Sequence, residues 1–311
     1  MVDIQHTFGA LLIGGIIAFI LSGIVNAQAF SYFKHYPNDQ RTLKLLMVYV
    51  WFIDALHTIF VASTLWDHFV AHYGDLSRID YIPWCVLYTS PKCRLILPDR
   101  SLALTVVTTA ILTIFVHIFF VYRIFKLSHN NYFVAVPLAL LSCVRLCFAF
   151  LTTIKMIQLH SISRFAQTYT WAFSSGLALC SILDVLFAGC LCYYLRQNMK
   201  KNSSMNDILE TLMLYAFENG ILNCVASLGT LVCWLTMPQN LIFLGIHFAI
   251  SKLYANSVMT VINARKDLKQ TTHRSQFASS ADRNQAIMFP AESFGLTKDT
   301  PSGYILASSI G

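Results

Sequence analysis

The stretch FGALLIGGIIAFILSGIVNAQAF, residues Phe8–Phe30, is apolar almost throughout and long enough to cross a bilayer as one helix. A helix needs roughly 20 residues to span a hydrocarbon core of about 30 Å. Backbone polar groups in lipid must find their hydrogen bonds within the segment, which favours a helix over an open strand. The segment lacks a basic leading region and exceeds the apolar core of a typical signal peptide, so it predicts a retained first membrane helix.

Six more apolar stretches of similar length follow, with polar loops between them. They are Leu43–Trp66, Ser101–Tyr122, Tyr132–Ile154, Tyr169–Leu195, Ile208–Thr236 and Asn240–Asn263. The sequence therefore predicts an all-α, polytopic membrane protein with seven transmembrane helices in one domain, residues 1–264. The polar remainder, residues 265–311, is predicted to be a disordered tail.

The composition favours the same class. Of the 311 residues, 56% are hydrophobic and only 12% are charged, about half the charged share of a soluble domain. A soluble globule of this size needs far more polar surface, and a disordered chain is poor in apolar residues. The net charge of +7 indicates basic loops beside anionic lipid rather than nucleic acid. The expected setting is a lipid bilayer, either the plasma membrane or an endomembrane.

Lysine and arginine are divided unevenly between the two sides of the predicted bundle. The first, third and fifth loops and the tail hold 14 of them, whereas the second and fourth loops hold 6 and the sixth holds none. Basic residues collect on the cytoplasmic side, so the count predicts an N-terminus outside and a C-terminus in the cytoplasm. The outer second loop contains Cys85 and Cys93, which would form a disulfide in an oxidising space; two free cysteines are the alternative.

Polar side chains inside the predicted helices are the candidate functional residues, because a charge in lipid is costly. The candidate ligand-binding residues are Asp54, His57, Asp184, Glu218, Asn219, Lys252 and Asn256, with Arg145, His117 and His247 as further titratable groups. The formal charges nearly balance, so mutual pairing that locks the bundle is one interpretation. The other is a polar cavity lined by helices two, five, six and seven, which would bind a ligand or an ion or relay protons.

Two families of seven-helix proteins provide partial parallels. Lys252 lies where retinal proteins carry their Schiff-base lysine, but Phe248 stands where microbial rhodopsins have an aspartate four residues earlier. The third helix ends in Val121-Tyr122-Arg123, without the acidic residue that precedes the arginine in G-protein-coupled receptors. The sequence therefore indicates neither a retinal protein nor a receptor of the standard class.

Enzyme and metal signatures are weak. The chain contains no Gly-rich phosphate loop, no H-E-x-x-H and no G-x-S-x-G sequence, so we expect no catalytic residue and no cofactor. His68 and His72 have the spacing of two ligands on one helix face, but no obvious third ligand accompanies them. No metal site is predicted.

Seven short segments carry a resemblance to a known family. They are Thr7–Gly14, Gln28–Phe33, Tyr36–Asp39, Trp51–Thr58, Phe119–Ser128, Lys252–Ser257 and Ile262–Arg265. Together they resemble a large family of fungal seven-helix membrane proteins of unknown function, abundant in mushroom-forming fungi. The resemblance covers about residues 7–265, with mild departures at His117 and Phe125. It implies seven helices and the orientation above, and it supplies no activity, ligand or catalytic residue.

We therefore predict a receptor-like bundle that binds a small molecule and signals to a protein partner at the cytoplasmic face, near Tyr122 and Arg123. The alternative is a secondary transporter or proton-coupled carrier, although no internal repeat of the kind that many carriers show is visible. An enzyme is the third interpretation, although no motif supports it, and a purely structural bundle is the baseline against which all three are weighed.

Overall fold

The computed structural model describes residues 4–71, 101–159, 161–199, 206–237 and 240–264. Within these ranges the chain forms seven α-helices, and a short π-helical turn, Asp67–Ala71, continues the second. The helices are α1 Ile4–His35, α2 Arg41–Trp66, α3 Ser101–Leu127, α4 Tyr132–Leu159, α5 Ile162–Met199, α6 Asn206–Thr236 and α7 Ile242–Ala264. Each contains a stretch long and apolar enough to cross a membrane. The prediction of an all-α polytopic chain with seven such helices is confirmed.

Several helices extend beyond the apolar stretches that predicted them. The first continues from Phe30 to His35 and the third from Tyr122 to Leu127. A helix satisfies its own backbone hydrogen bonds, so it continues through polar residues until the chain itself stops it. In α1 that stop is Pro37, because proline disfavours helical backbone in the residue before it. The predicted tail, residues 265–311, lies outside the described residues.

Adjacent helices run in opposite directions. Between α1 and α2, Ser22 Oγ donates to Asp54 at 2.6 Å, and Trp51 Nε1 donates to Asn26 at 2.7 Å, so higher numbers on one helix meet lower numbers on the other. We call the end at which α1, α3, α5 and α7 begin the first end of the bundle, and the opposite end the second end. By the distribution of basic residues, the first end is the predicted outer one.

The seventh helix is the most deeply buried. In its most apolar stretch 72% of the residues are buried, against 56% or fewer in every other helix. It runs parallel to α1, with which it shares a close contact near the first end. A Cβ built on Gly14 would lie 2.3 Å from the Cα of Gly245, and one built on Gly245 would lie 2.5 Å from the carbonyl oxygen of Ala10. Glycine at these positions therefore lets the two backbones touch.

The outer surface of the bundle is apolar, whereas polar groups lie inside it. Large aliphatic side chains such as Ile13, Leu140 and Val225 are exposed, while Asp54 and Lys252 are buried. This distribution is the reverse of that in a soluble protein. It suggests a multi-pass membrane protein whose exposed helix faces contact lipid.

Replacing Gly14 with alanine should separate α1 from α7. The added methyl group has only backbone to move against, so we expect Gly14→Ala to lower the free energy of unfolding by about 1–3 kcal/mol. Gly23→Ala is the matched control, because no atom lies within 4 Å of a Cβ at that exposed position of the same helix. The measurement is the Tm of each purified variant in detergent. Equal Tm values for the two variants would contradict the close contact.

Candidate functional site

A buried ion pair connects α2 with α7. Lys252 Nζ lies 2.8 Å from Asp54 Oδ1, and the two residues are 0% and 1% exposed. The ammonium group also donates to the backbone carbonyl of Asp54 at 2.9 Å and to Thr58 Oγ1 at 2.5 Å. Ser22 of α1 donates to the second carboxylate oxygen. We call these four residues the Lys252 cluster.

The Lys252 cluster is closed to further ligands. An ammonium group has three protons, and each has an acceptor here. Both carboxylate oxygens of Asp54 are engaged as well. A buried ion pair that is fully hydrogen-bonded in this way positions its helices, because removing either partner leaves a charge in the apolar interior. The cluster therefore fits the interpretation in which buried charges lock the bundle.

A second polar cluster connects α5 with α7. Tyr254 donates its hydroxyl to Asp184, 2.8 and 2.7 Å from the two carboxylate oxygens, and the Cys180 thiol lies 3.0 Å from the same hydroxyl. Arg145 of α4 lies beside Cys180 and interacts electrostatically with Asp184. All four side chains are buried. We call them the Tyr254 cluster, and Arg145 is its one formally positive member.

Arg145 is incompletely paired. The residue is 7% exposed, and its Nε has no hydrogen-bond partner. Among the residues that the structure describes, no carboxylate lies within 4 Å of its guanidinium. Buried polar atoms are nearly always hydrogen-bonded, and a buried donor without a partner costs about 1–3 kcal/mol. The incomplete pairing therefore calls for a functional explanation.

Arg145 lines a cavity where α3, α4, α5 and α7 meet. The cavity has room for about two water molecules, and its wall is largely apolar. Its polar lining consists of Arg145, His247, Thr109 and Thr152. His247 is 5% exposed, and both of its ring nitrogens lack partners. We call this space the anchor cavity.

An aromatic cavity adjoins the anchor cavity on the side of the first end. The two share lining residues, His247 and Phe173 among them. Trp234 completes the aromatic wall, with ring centroids 5.0 Å from Phe173 and 4.7 Å from Phe243. The indole N–H of Trp234 is buried without a partner. Arg145, His247 and Trp234, which each carry a buried nitrogen without a partner, therefore line one or both of the two adjoining cavities.

A third cavity lies toward the second end, on the other side of the Tyr254 cluster. It has room for about one water molecule. Asp184, Asn219 and Asn223 line it, together with His117. His117 packs edge-on against Tyr254 at 5.9 Å, and both of its ring nitrogens lack partners.

The predicted site residues do not form one cavity. Asp54 and Lys252 pair with each other, whereas Asp184 and Asn219 belong to the third cavity. The expectation that Glu218 shares the interior with them is not met, because its side chain is exposed on α6. The spacing of polar residues in a single sequence does not show which face of a helix points into the bundle.

Two predicted residues lie around the Lys252 cluster. His57 is fully buried without a hydrogen-bond partner, and it interacts electrostatically with Lys252 and His247. Asn256 donates to the backbone carbonyl of Leu21 at 3.3 Å and so links α7 to α1. Cys85, Cys93 and His72 lie outside the described residues.

The sequence predictions did not include the anchor cavity. Arg145 and His247 are visible in the sequence as titratable groups in helices, and the cost of burying a charge is the signal that singles them out. Trp234 carries no such signal, because tryptophan near the end of a membrane helix is usual at the interface with water. In the described part of the chain, no group of three or more His, Cys, Asp or Glu side chains is placed to hold a metal ion.

Lys252→Met should destabilise the bundle strongly. It leaves the Asp54 carboxylate buried without its cation, and breaking one half of a buried pair costs about 3–5 kcal/mol. The double variant Asp54→Leu, Lys252→Met removes both charges and should recover most of the loss. Lys34→Met, at an exposed position of α1, is the control. The measurement is the Tm of each purified variant in detergent. The positioning role is refuted if Lys252→Met has the Tm of the wild type, or if the double variant has a Tm no higher than that of Lys252→Met.

Tyr254→Phe should weaken the contact between α5 and α7. The substitution keeps the ring but removes the hydroxyl that donates to Asp184, so we expect a loss of about 1–3 kcal/mol in stability. Tyr193→Phe removes an exposed hydroxyl from α5 and should leave the Tm unchanged. If Tyr254→Phe and Tyr193→Phe changed the Tm equally, the hydrogen bond from Tyr254 to Asp184 would contribute nothing to stability.

The comparisons with known proteins concern the last part of the bundle. Residues 180–267 match the model of a family of unknown function, DUF6534. The matched stretch contains Asp184, His247, Lys252 and Tyr254. No curated protein and no solved structure matches the chain. Over this stretch the chain is similar to a family of unknown function, in agreement with that part of the resemblance stated above.

Proposed function

We propose that this chain is an integral membrane protein that binds a small ligand inside its bundle and transmits the binding to one face of the membrane, as a receptor does. The observation that supports the proposal is the pair of adjoining cavities lined by residues that carry buried polar atoms without partners. These atoms are Arg145 Nε, both ring nitrogens of His247 and Trp234 Nε1.

The energetic cost of these groups supports a ligand. Each buried donor without a partner costs about 1–3 kcal/mol, and Arg145, His247 and Trp234 line one or both of the two adjoining cavities. A folded chain tolerates such violations chiefly where function requires them. A ligand with suitable acceptors would restore the missing hydrogen bonds, so part of its binding free energy would come from groups that the empty bundle leaves unsatisfied.

The place of the cavities in the bundle also supports a ligand site. Helix bundles form their sites from side chains on facing helices, and such sites combine an apolar wall with a few converging polar groups. The anchor cavity has this character, because only four of its lining residues are polar. The closed Lys252 cluster lies outside it and holds α1, α2 and α7 together, which keeps the scaffold around the site rigid.

The Tyr254 cluster offers a route for transmission. Contacts lead from Arg145, which lines the anchor cavity, through Cys180 and Tyr254 to Asp184, which lines the third cavity nearer the second end. A ligand that engages the guanidinium of Arg145 changes the electrostatic balance felt by Asp184. The second end is the predicted cytoplasmic end, where we place the protein partner that would receive the signal.

Thermal stability of the full-length protein in lipid nanodiscs tests the proposal. A ligand that binds only the folded state raises its stability by about 2.7 kcal/mol at a hundred times its Kd, so a library of small organic molecules can be screened by Tm. Ala110 lines the anchor cavity, and Ala110→Leu adds side-chain volume there. We expect this variant to weaken binding of the hits about tenfold or more, because the leucine occupies space that the ligand needs.

Ala62→Leu is the matched control, since Ala62 lies on the exposed face of α2. It should bind every hit with the affinity of the wild type. The proposal fails if no compound in the library stabilises the wild-type protein. It also fails if Ala110→Leu and Ala62→Leu bind all hits equally well.

A further inference from the structure

We infer that the third cavity binds one ordered water molecule, which joins Asp184 of α5 to Asn219 and Asn223 of α6. The water site does not depend on the proposed ligand, and only its role in transmission rests on the proposed function. The inference follows from hydrogen-bonding groups that the protein leaves unserved, from the charge around Asp184 and from the size of the cavity.

The Asp184 carboxylate has hydrogen-bond acceptor sites that the protein does not fill. Its side chain is buried, with 4% exposed, and an ionised carboxylate has about four lone-pair sites. Tyr254 has a single hydroxyl proton to donate to them. In the described ranges, no cationic nitrogen lies within 4 Å of the carboxylate oxygens. A buried carboxylate with so few donors requires another one.

Two amide side chains of α6 border the same space. Asn219 and Asn223 line the third cavity together with Asp184. Asn223 is 4% exposed, and neither amide makes a side-chain hydrogen bond to any residue that the structure describes. An amide has both N–H donors and a carbonyl acceptor. The molecule that links these amides to the carboxylate must therefore both donate and accept hydrogen bonds, as water does.

The charge around Asp184 favours a neutral ligand over an ion. Arg145 interacts electrostatically with Asp184 and balances its formal charge. No second carboxylate lines the third cavity, so a bound cation would add a buried charge without a counter-ion. A bound anion would lie beside the carboxylate of Asp184. Either charge is costly in an apolar interior, whereas a water molecule adds none.

The size of the third cavity selects water among neutral ligands. The cavity has room for about one water molecule. Buried waters make about three hydrogen bonds to groups that otherwise lack partners. Here the water donates to Asp184 and to one amide oxygen, and it accepts from an amide N–H. One small molecule therefore serves groups on two helices.

The aromatic cavity provides a contrast within the same bundle. It too has room for no more than about one water molecule, but its wall exposes no polar atom. Apolar cavities stay dry, because a water molecule inside them finds no hydrogen-bond partners. We therefore expect water in the third cavity and none in the aromatic cavity.

The bound water extends the Tyr254 cluster to α6. The contacts that begin at Arg145 reach Asp184 on α5, and the water continues them to Asn223. Water-mediated hydrogen bonds are nearly as favourable in enthalpy as direct ones. In the proposed receptor, a change at Arg145 is therefore passed to α6 as well as to α5.

Hydroxyl-radical footprinting with X-rays tests the water site on the full-length protein in lipid nanodiscs. X-rays split bound water in place, and the radical modifies reactive side chains beside it. Phe187 lines the third cavity and Phe243 the aromatic cavity, and the two residues are 4% and 5% exposed. They form a matched pair of the same residue type. We expect mass spectrometry to show modification of Phe187 severalfold faster than that of Phe243.

Asn223→Leu tests the polar wall, because it keeps the approximate size of the side chain and removes the amide. Modification of Phe187 should fall to the level of Phe243. Val225→Leu, on the exposed face of α6, is the control and should keep the wild-type rate. Sodium chloride and choline chloride at equal ionic strength should give equal rates, since the site holds water and not sodium. If Asn223→Leu does not fold, the wild-type comparison of Phe187 with Phe243 still decides.

Three results would overturn the inference. They are modification of Phe187 no faster than that of Phe243, a wild-type rate in folded Asn223→Leu, and specific suppression of Phe187 modification by sodium, which would show a cation in the cavity. None of these results bears on the proposed ligand site, which the library screen with Ala110→Leu tests. A failed screen would likewise leave the water site standing and remove only its role in transmission.

Discussion

The salt bridge between Lys252 and Asp54 is the interaction on which the arrangement of the bundle depends. It joins α7 to α2 at 2.8 Å, and Ser22 adds α1 to the same cluster. In an apolar interior a charge without its partner is costly, so α7 is not free to rotate or slide. The glycine contact between Gly14 and Gly245 holds the same helix against α1 nearer the first end. Because α7 is held in place, the positions of its side chains His247 and Tyr254 relative to the other polar groups are fixed as well.

Lys252 and Arg145, the lysine and arginine that are buried in the described residues, have different surroundings and therefore different roles. Lys252 donates to three acceptors and is enclosed by them. Arg145 has a guanidinium nitrogen without a partner and faces a cavity. Burial of each has a cost, which the protein compensates fully for Lys252 and only in part for Arg145. Lys252 therefore supports the fold, whereas Arg145 is available to a ligand. The part of the bundle around Lys252 is rigid, and the part around Arg145 contains the cavities.

Much of the fold could be predicted because apolar length is a property of each segment by itself. The candidate site was predictable only in part. The sequence identifies Asp54 and Lys252 as candidates because they are charged residues in apolar helices. Their pairing agrees with the near balance of formal charges in the predicted helices. The sequence identifies Glu218 as a candidate for the same reason, but its side chain is exposed in the structure. Trp234 forms part of a cavity wall although its sequence position suggests the membrane interface.

The sequence by itself determined the helical class, the number of apolar helices and the set of polar groups that they carry. The physical reason is that the free energy of placing a segment in lipid is close to a sum over its own residues. Only the tertiary structure decided which polar groups meet, because contacts such as that of Lys252 with Asp54 join residues 198 positions apart. Helix rotation and packing placed Arg145, His247 and Trp234 around two adjoining cavities, and no local pattern of residues contains that information.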